Sequence, residues 1–189
     1  MKKILLLGVL CILSAFTTVN AQTYPTVKYS GDVNLSYATS TNGVKIKQSN
    51  IRTTHGININ ENFFFGMGTG IDMFDIKENN ELKYSIPLYA NIKGFLPISP
   101  KTKLFLSLDL GESFGIGDIN EAKIVFMTPM IGSSFKVGEQ NKAINLSIGY
   151  NYANYLTIED DNGDGGNNNF MTNLAATSGS FIFRVAFQF

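Results

Sequence analysis

The chain has one histidine, His55, and one cysteine, Cys11, so base-assisted nucleophilic chemistry and thiolate metal ligation have few residues to draw on. His55 lies in the run Ile51-Arg52-Thr53-Thr54-His55-Gly56-Ile57, two residues from Thr53 and with Ser49 upstream. A lipid hydrolase built on it would need a hydroxyl within hydrogen-bond reach and a third group orienting the ring. No segment offers an obvious partner triad, so His55 reads as a packing residue and the chain as a non-enzyme. A second constellation, Asp160-Asp161-Asn162-Gly163-Asp164-Gly165, fits the first six positions of a calcium loop, with Asp160, Asn162 and Asp164 as oxygen ligands and Gly165 at the sharp turn. The bidentate acid expected at the twelfth position is replaced by Met171, and Asn167-Asn168-Asn169 intervenes. The stretch therefore reads first as a solvated loop, with Ca2+ as the one cofactor it could take. Gly66-Met67-Gly68-Thr69-Gly70 lies within a strand pattern and opens no helix, which removes the phosphate-loop reading.

The remaining chemistry is a dispersed set of charges, Lys28, Arg52, Lys83, Lys93 and Arg184 with Asp32, Asp72 and Asp109, all at polar positions of alternating segments. What they do depends on which way those segments face. The final run, Phe181-Ile182-Phe183-Arg184-Val185-Ala186-Phe187-Gln188-Phe189, has Phe181, Phe183, Val185, Phe187 and Phe189 on one side of a strand and Ile182, Arg184, Ala186 and Gln188 on the other. An open edge of this kind invites aggregation, whereas a closed barrel in lipid does not. Seven earlier segments repeat the period of two: Val27 to Tyr37, Val44 to Ile59, Phe63 to Asp75, Leu82 to Lys93, Leu104 to Gly111, Lys123 to Val137 and Ile144 to Tyr152. The sixth leaves its facing open, since Val125, Met127 and Ile131 alternate with Phe126, Met130 and Gly132.

These segments predict an all-β fold, an eight-stranded antiparallel up-and-down transmembrane β-barrel. Short turns at Asn60, Pro97-Ile98-Ser99-Pro100 and Gly138 alternate with generally longer polar connections, up to Glu159–Asn169, as in barrels with short periplasmic turns and long external loops. Eight strands enclose a bore that side chains fill. Phe, Tyr, Leu and Ile from nearly every strand would overfill it, so the apolar set is placed outward and the Gly, Ser, Asn and Ala set inward, with the charges pairing across the lumen. A glycine column at Gly66, Gly68 and Gly70 marks a crowded inner face. Phe63, Phe187 and Phe189 are expected in one interfacial girdle and Tyr37, Tyr84 and Tyr155 in the other. A two-sheet sandwich and a soluble barrel are the alternative architectures.

Residues 1–21 carry Lys2 and Lys3, an apolar run from Ile4 to Phe16 and the small-x-small stretch Val19-Asn20-Ala21, the pattern of a cleaved secretory signal peptide. Residues 22–189 then form one domain, without cysteine. Of the 15 basic and 15 acidic residues, two basic and no acidic ones precede position 22, so the mature charge is −2, which argues against a nucleic-acid partner. No later apolar run approaches the roughly 20 residues of a membrane helix.

Thr54-His55-Gly56-Ile57-Asn58-Ile59-Asn60 followed by Phe63-Phe64-Phe65-Gly66-Met67-Gly68-Thr69-Gly70-Ile71-Asp72 resembles the second hairpin of the small outer-membrane β-barrel proteins of the porin-family type abundant in Bacteroidetes. Ile86-Pro87-Leu88-Tyr89-Ala90-Asn91, Thr128-Pro129-Met130-Ile131-Gly132 and the ending from Phe183 resemble that family's later blocks. The resemblance implies the cell outer membrane, contact with outer-membrane lipid, and a C-terminal strand read by the barrel-assembly machinery, with Ala186 where glycine is common. It implies no chemistry. The expected role is a non-enzymatic membrane component whose external loops meet an extracellular ligand; a narrow porin for small polar solutes is the alternative, and a hydrolase using His55 the third.

Overall fold

The computed structural model describes residues 26–40, 46–76, 81–116, 122–138, 142–157 and 176–189. They form eight strands: β1 (Val27–Ser40), β2 (Ile46–Ile59), β3 (Phe63–Ile76), β4 (Glu81–Ser99), β5 (Thr102–Ile116), β6 (Ala122–Lys136), β7 (Ala143–Thr157) and β8 (Ala176–Gln188). Each is antiparallel to its sequence neighbours, and β8 returns to β1, so the sheet is a closed barrel with no free edge. Reciprocal backbone hydrogen bonds of 2.9 Å between Gly31 and Phe189 extend that seam by one pair.

The register fixes the shape. From Ser30 the paired positions run through Gly56, Gly66, Asn91 and Asp109 to Thr128, whose hydroxyl donates to Asn151 at 2.7 Å. They continue to Ser180 and re-enter β1 at Ser40, ten residues beyond the start. That stagger over eight strands corresponds to a strand tilt of about 40° and a backbone diameter of roughly 16 Å. A cylinder of that width is filled by one inward side chain from every second residue of each strand.

Alternation sets the two faces as the sequence predicts. Val33, Leu35, Ile51, Leu88, Leu106 and Ile148 are among the many large apolar residues exposed on the outside, while Asp32, Asn34, Arg52, Asp72, Asn91, Asp109 and Arg184 are buried inside. The ambiguous strand β6 turns Val125, Met127 and Ile131 outward and Ile124, Phe126, Thr128 and Met130 inward. Tyr37 and Tyr84 are exposed towards one end of the wall and Phe187 and Phe189 at the other, as expected of two girdles, with Phe63 half-buried at the second.

Two local expectations are corrected. Pro97-Ile98-Ser99 is not a turn but the end of β4, which keeps pairing with β5 through a register shift between Pro97 and Ser99; the chain reverses at Pro100 and Lys101. Both prolines sit where a missing N–H is tolerated, at an irregularity and a turn. The interior is also not confined to small and polar residues, for Phe64, Phe95 and Phe105 form one buried apolar cluster and Phe74, Tyr89, Ile124, Phe126 and Ala153 another. Glycines make the room: a Cβ at Gly132 would lie 2.6 Å from the Phe105 ring, and one at Gly66 would lie 2.6 Å from the Phe64 ring.

Candidate functional site

The barrel interior gathers the dispersed charges. Arg52 on β2 donates from Nε to Asp72 Oδ1 at 2.8 Å and from Nη2 to Asp72 Oδ2 at 2.7 Å, a two-pronged fork onto the neighbouring strand β3. The same guanidinium lies 5.3 Å from the Tyr89 ring centre and 4.9 Å from that of Phe126, so a cation is held between two π faces. The other two pairs cross the bore. Lys93 on β4 donates to Asp32 on β1, and Arg184 on β8 donates to Asp109 on β5 at 2.7 Å.

Two of the carboxylates, Asp32 and Asp109, have further donors. Asn34 Nδ2 reaches Asp32 at 3.2 Å, and Asn91 Nδ2 donates both to Asp109 and to Ser107 Oγ, the latter at 3.0 Å. An ionised group this far from water is tolerated only when paired and hydrogen-bonded, and all three aspartates meet that condition. Tyr89 joins the network through its hydroxyl, 2.9 Å from Thr54 Oγ1. Beside the Arg52 and Asp72 pair lies a void of about 10 Å3, close to one water-sized sphere. Of the cations proposed from sequence to line the interior, Arg52, Lys93 and Arg184 are there; Lys28 is exposed at the mouth and Lys83 half-buried near the opposite end.

His55 lies on the outer wall. Its Nδ1 is 2.6 Å from the Tyr29 hydroxyl and its Nε2 is 3.0 Å from Thr53 Oγ1, which in turn donates to the Asp32 carbonyl at 3.1 Å. The proton assignment that makes all three bonds has Tyr29 donating to Nδ1 and Nε2–H donating to Thr53. In that state the imidazole offers Thr53 a proton rather than a lone pair, so it does not activate the hydroxyl. Ser49 is six residues along β2, roughly 20 Å away, and is no neighbour of His55. Sequence reasoning missed Tyr29, which reaches the ring from β1 because Gly31 pairs directly with His55 and leaves that place open. The calcium-loop residues Asp160, Asn162 and Asp164 lie outside the described residues. Among the described residues, no group of three or more His, Cys, Asp or Glu side chains gathers to hold a metal.

An outward apolar wall around a charged, paired interior is the inverse of a soluble barrel. The crystal structure of Neisserial surface protein A (NspA) is similar, with a TM-score of 0.52 at 14% identity over 88% of this chain and 98% of that one. The chain has a transmembrane β-barrel fold. A de novo designed transmembrane β-barrel also matches, with a TM-score of 0.43 at 10% identity over 85% of this chain and 95% of that one. No family model matches the sequence, and no curated protein matches it.

Proposed function

We propose that the chain is an outer-membrane protein of the small porin-family type, exported through residues 1–21, and that it works as a non-conducting wall element whose long external loops contact a ligand outside the cell. The observation that carries this reading is the pair of ion pairs spanning the bore, Lys93 with Asp32 and Arg184 with Asp109, set between layers of buried rings. Charges that neutralise one another at contact leave little field to attract a permeating ion, and the rings occupy the space between them. With the middle of the bore committed to packing, recognition outside the cell falls to the connections between strands, of which Glu159–Asn169 contains the proposed calcium ligands. Assembly proceeds through the C-terminal strand, whose outward phenylalanines suit capture by the barrel-assembly machinery.

A narrow pore for water or small polar solutes is the second reading. It is favoured by Asn50, whose amide nitrogen and oxygen are both buried and without a partner among the described residues. Planar-bilayer conductance of the refolded barrel separates the two, alongside a heat-modifiability gel shift showing that it has folded. A folded barrel at baseline supports the first reading; reproducible ion-selective steps replace it with the second.

A further inference from the structure

The charged residues among those described divide into three groups along the barrel. Arg52, Lys93 and Arg184 neutralise Asp32, Asp72 and Asp109 inside. Five lysines and one glutamate, Glu61, stand at the end with the short turns among the described residues, a net of +4. Among the described residues, Lys47, Lys83 and Lys123 stand towards the other end with Asp75, Glu81 and Glu112, a net of zero.

At the positive end the barrel opens into a cavity of about 470 Å3, lined by Lys28, Lys101, Lys103, Lys136 and Lys142. Glu61 is the one acidic residue among its described lining, and it is engaged by Lys103 Nζ at 3.2 Å. Lys28, Lys103 and Lys136 fall on the inward register of β1, β5 and β6, so three of these cations converge on the mouth from different strands instead of radiating towards lipid. The inner wall of the cavity is neutral, with Phe95, Ser134 and Gln188. The volume falls within the range of small-molecule sites. Every cation in it is a lysine, a compact point charge that suits phosphate oxygens, whereas the two arginines that could fork onto a planar carboxylate are used in the bore.

We propose that this mouth is a binding site for a multivalent phosphate, either a soluble phosphate ester or the headgroup of an anionic lipid reaching over the rim. Which compartment the mouth faces rests on the outer-membrane reading above; the anion site does not. The test is calorimetric titration of the full-length barrel, refolded in zwitterionic detergent, with sodium tripolyphosphate. Saturable binding is expected, weakening with added salt, weakened at least tenfold by Lys28→Gln, Lys103→Gln and Lys136→Gln together, and unchanged by Lys47→Gln with Lys123→Gln at the other end. Glu61→Gln, which leaves all five lysines in place, is expected to tighten binding and keeps the test decisive if the triple variant folds poorly. Competition by a short-chain cardiolipin, whose headgroup carries two phosphates, would support the site and assign it to lipid headgroups; tripolyphosphate binding without such competition would support it and assign it to soluble esters. Absence of saturable tripolyphosphate binding, or equal binding by the wild type and a folded triple variant, would overturn the proposal.

Discussion

The phenol ring of Tyr89 occupies the place that a side chain at Gly68 would take. The two residues are register partners on β4 and β3, and a Cβ built at Gly68 would lie 2.5 Å from the Tyr89 hydroxyl oxygen and 2.7 Å from the Thr53 carbonyl. On its other side Tyr89 pairs with Gly111 on β5, so the residue has a glycine as register partner on both neighbouring strands. Gly68→Ala is therefore expected to cost about 1–3 kcal/mol, the usual penalty of overpacking. Urea unfolding in liposomes measures it, and Tyr89→Leu in the same background should recover part of the loss. The carbonyl clash remains, so recovery will be incomplete.

Breaking an internal ion pair should cost more than removing it. Arg52→Met leaves the Asp72 carboxylate buried without its fork, a loss of about 3–5 kcal/mol for an uncompensated buried charge. Arg52→Met with Asp72→Leu should be considerably more stable than the single variant, because neither partner is then left charged. Unfolding midpoints of the two single variants, the double variant and the wild type give the coupling directly. Additive losses would mean that the pair does not interact in the folded barrel.

The rings on either side of Arg52 should control passage more than the charge does. Tyr89 and Phe126 are both buried, and their ring centres are 6.2 Å apart across the lumen. Tyr89→Ser with Phe126→Ser removes this layer and leaves all three ion pairs. Conductance is expected to rise above the wild-type baseline in the double variant that still shows the folded gel mobility. If it stays at baseline, the ion pairs and the remaining rings of Phe64, Phe74, Phe95 and Phe105 suffice to block the path.

On the outer wall, the Tyr29, His55 and Thr53 chain should behave as packing. Tyr29→Phe removes one hydrogen bond and should cost about 1 kcal/mol, while hydrolysis of phospholipid or lipid ester by the wild type and by His55→Gln should both equal the protein-free blank. Release of fatty acid that disappears in His55→Gln would reverse the proton assignment and make the imidazole a base.

Much of this was legible from alternation. The outward stripe of β8, the inward glycine column of β3 and the three aspartates of the bore all follow from a period of two, and the cations and aspartates of the three pairs stand in the predicted inward set. Who pairs with whom was not legible, because Lys93 meets Asp32, and Arg184 meets Asp109, only once a ten-residue stagger brings distant strands face to face. The inner aromatics were hidden for a different reason. In Phe63-Phe64-Phe65 and Leu104-Phe105-Leu106 both parities are apolar, so periodicity carries no sign there. The signal lay in the partner strand, where Gly132 stands opposite Phe105. Pro97 and Pro100 drew the turn too early, since an irregular register lets β4 run past the first of them.

The facing itself can be read out with a single probe moved by one register position. The chain contains no tryptophan, so one introduced indole reports alone. Phe95 pairs with Phe105 on the inside, and the adjacent pair, Gly94 with Leu106, lies on the outside at nearly the same height. Leu106→Trp and Phe95→Trp therefore differ in side of the wall far more than in depth. Phe95 borders the mouth cavity, which gives the larger ring room to settle, while Leu106 is exposed on the outer surface and demands no repacking. In vesicles containing brominated phosphatidylcholine, Leu106→Trp should be strongly quenched and Phe95→Trp should keep most of its emission, because bromine quenches at short range and the wall stands between. Aqueous acrylamide should give the reverse order. Equal quenching of both by brominated lipid would mean that the apolar stripe is not the lipid-facing side. A soluble barrel would give no lipid quenching at either position, so the same two proteins also test whether the wall is immersed at all.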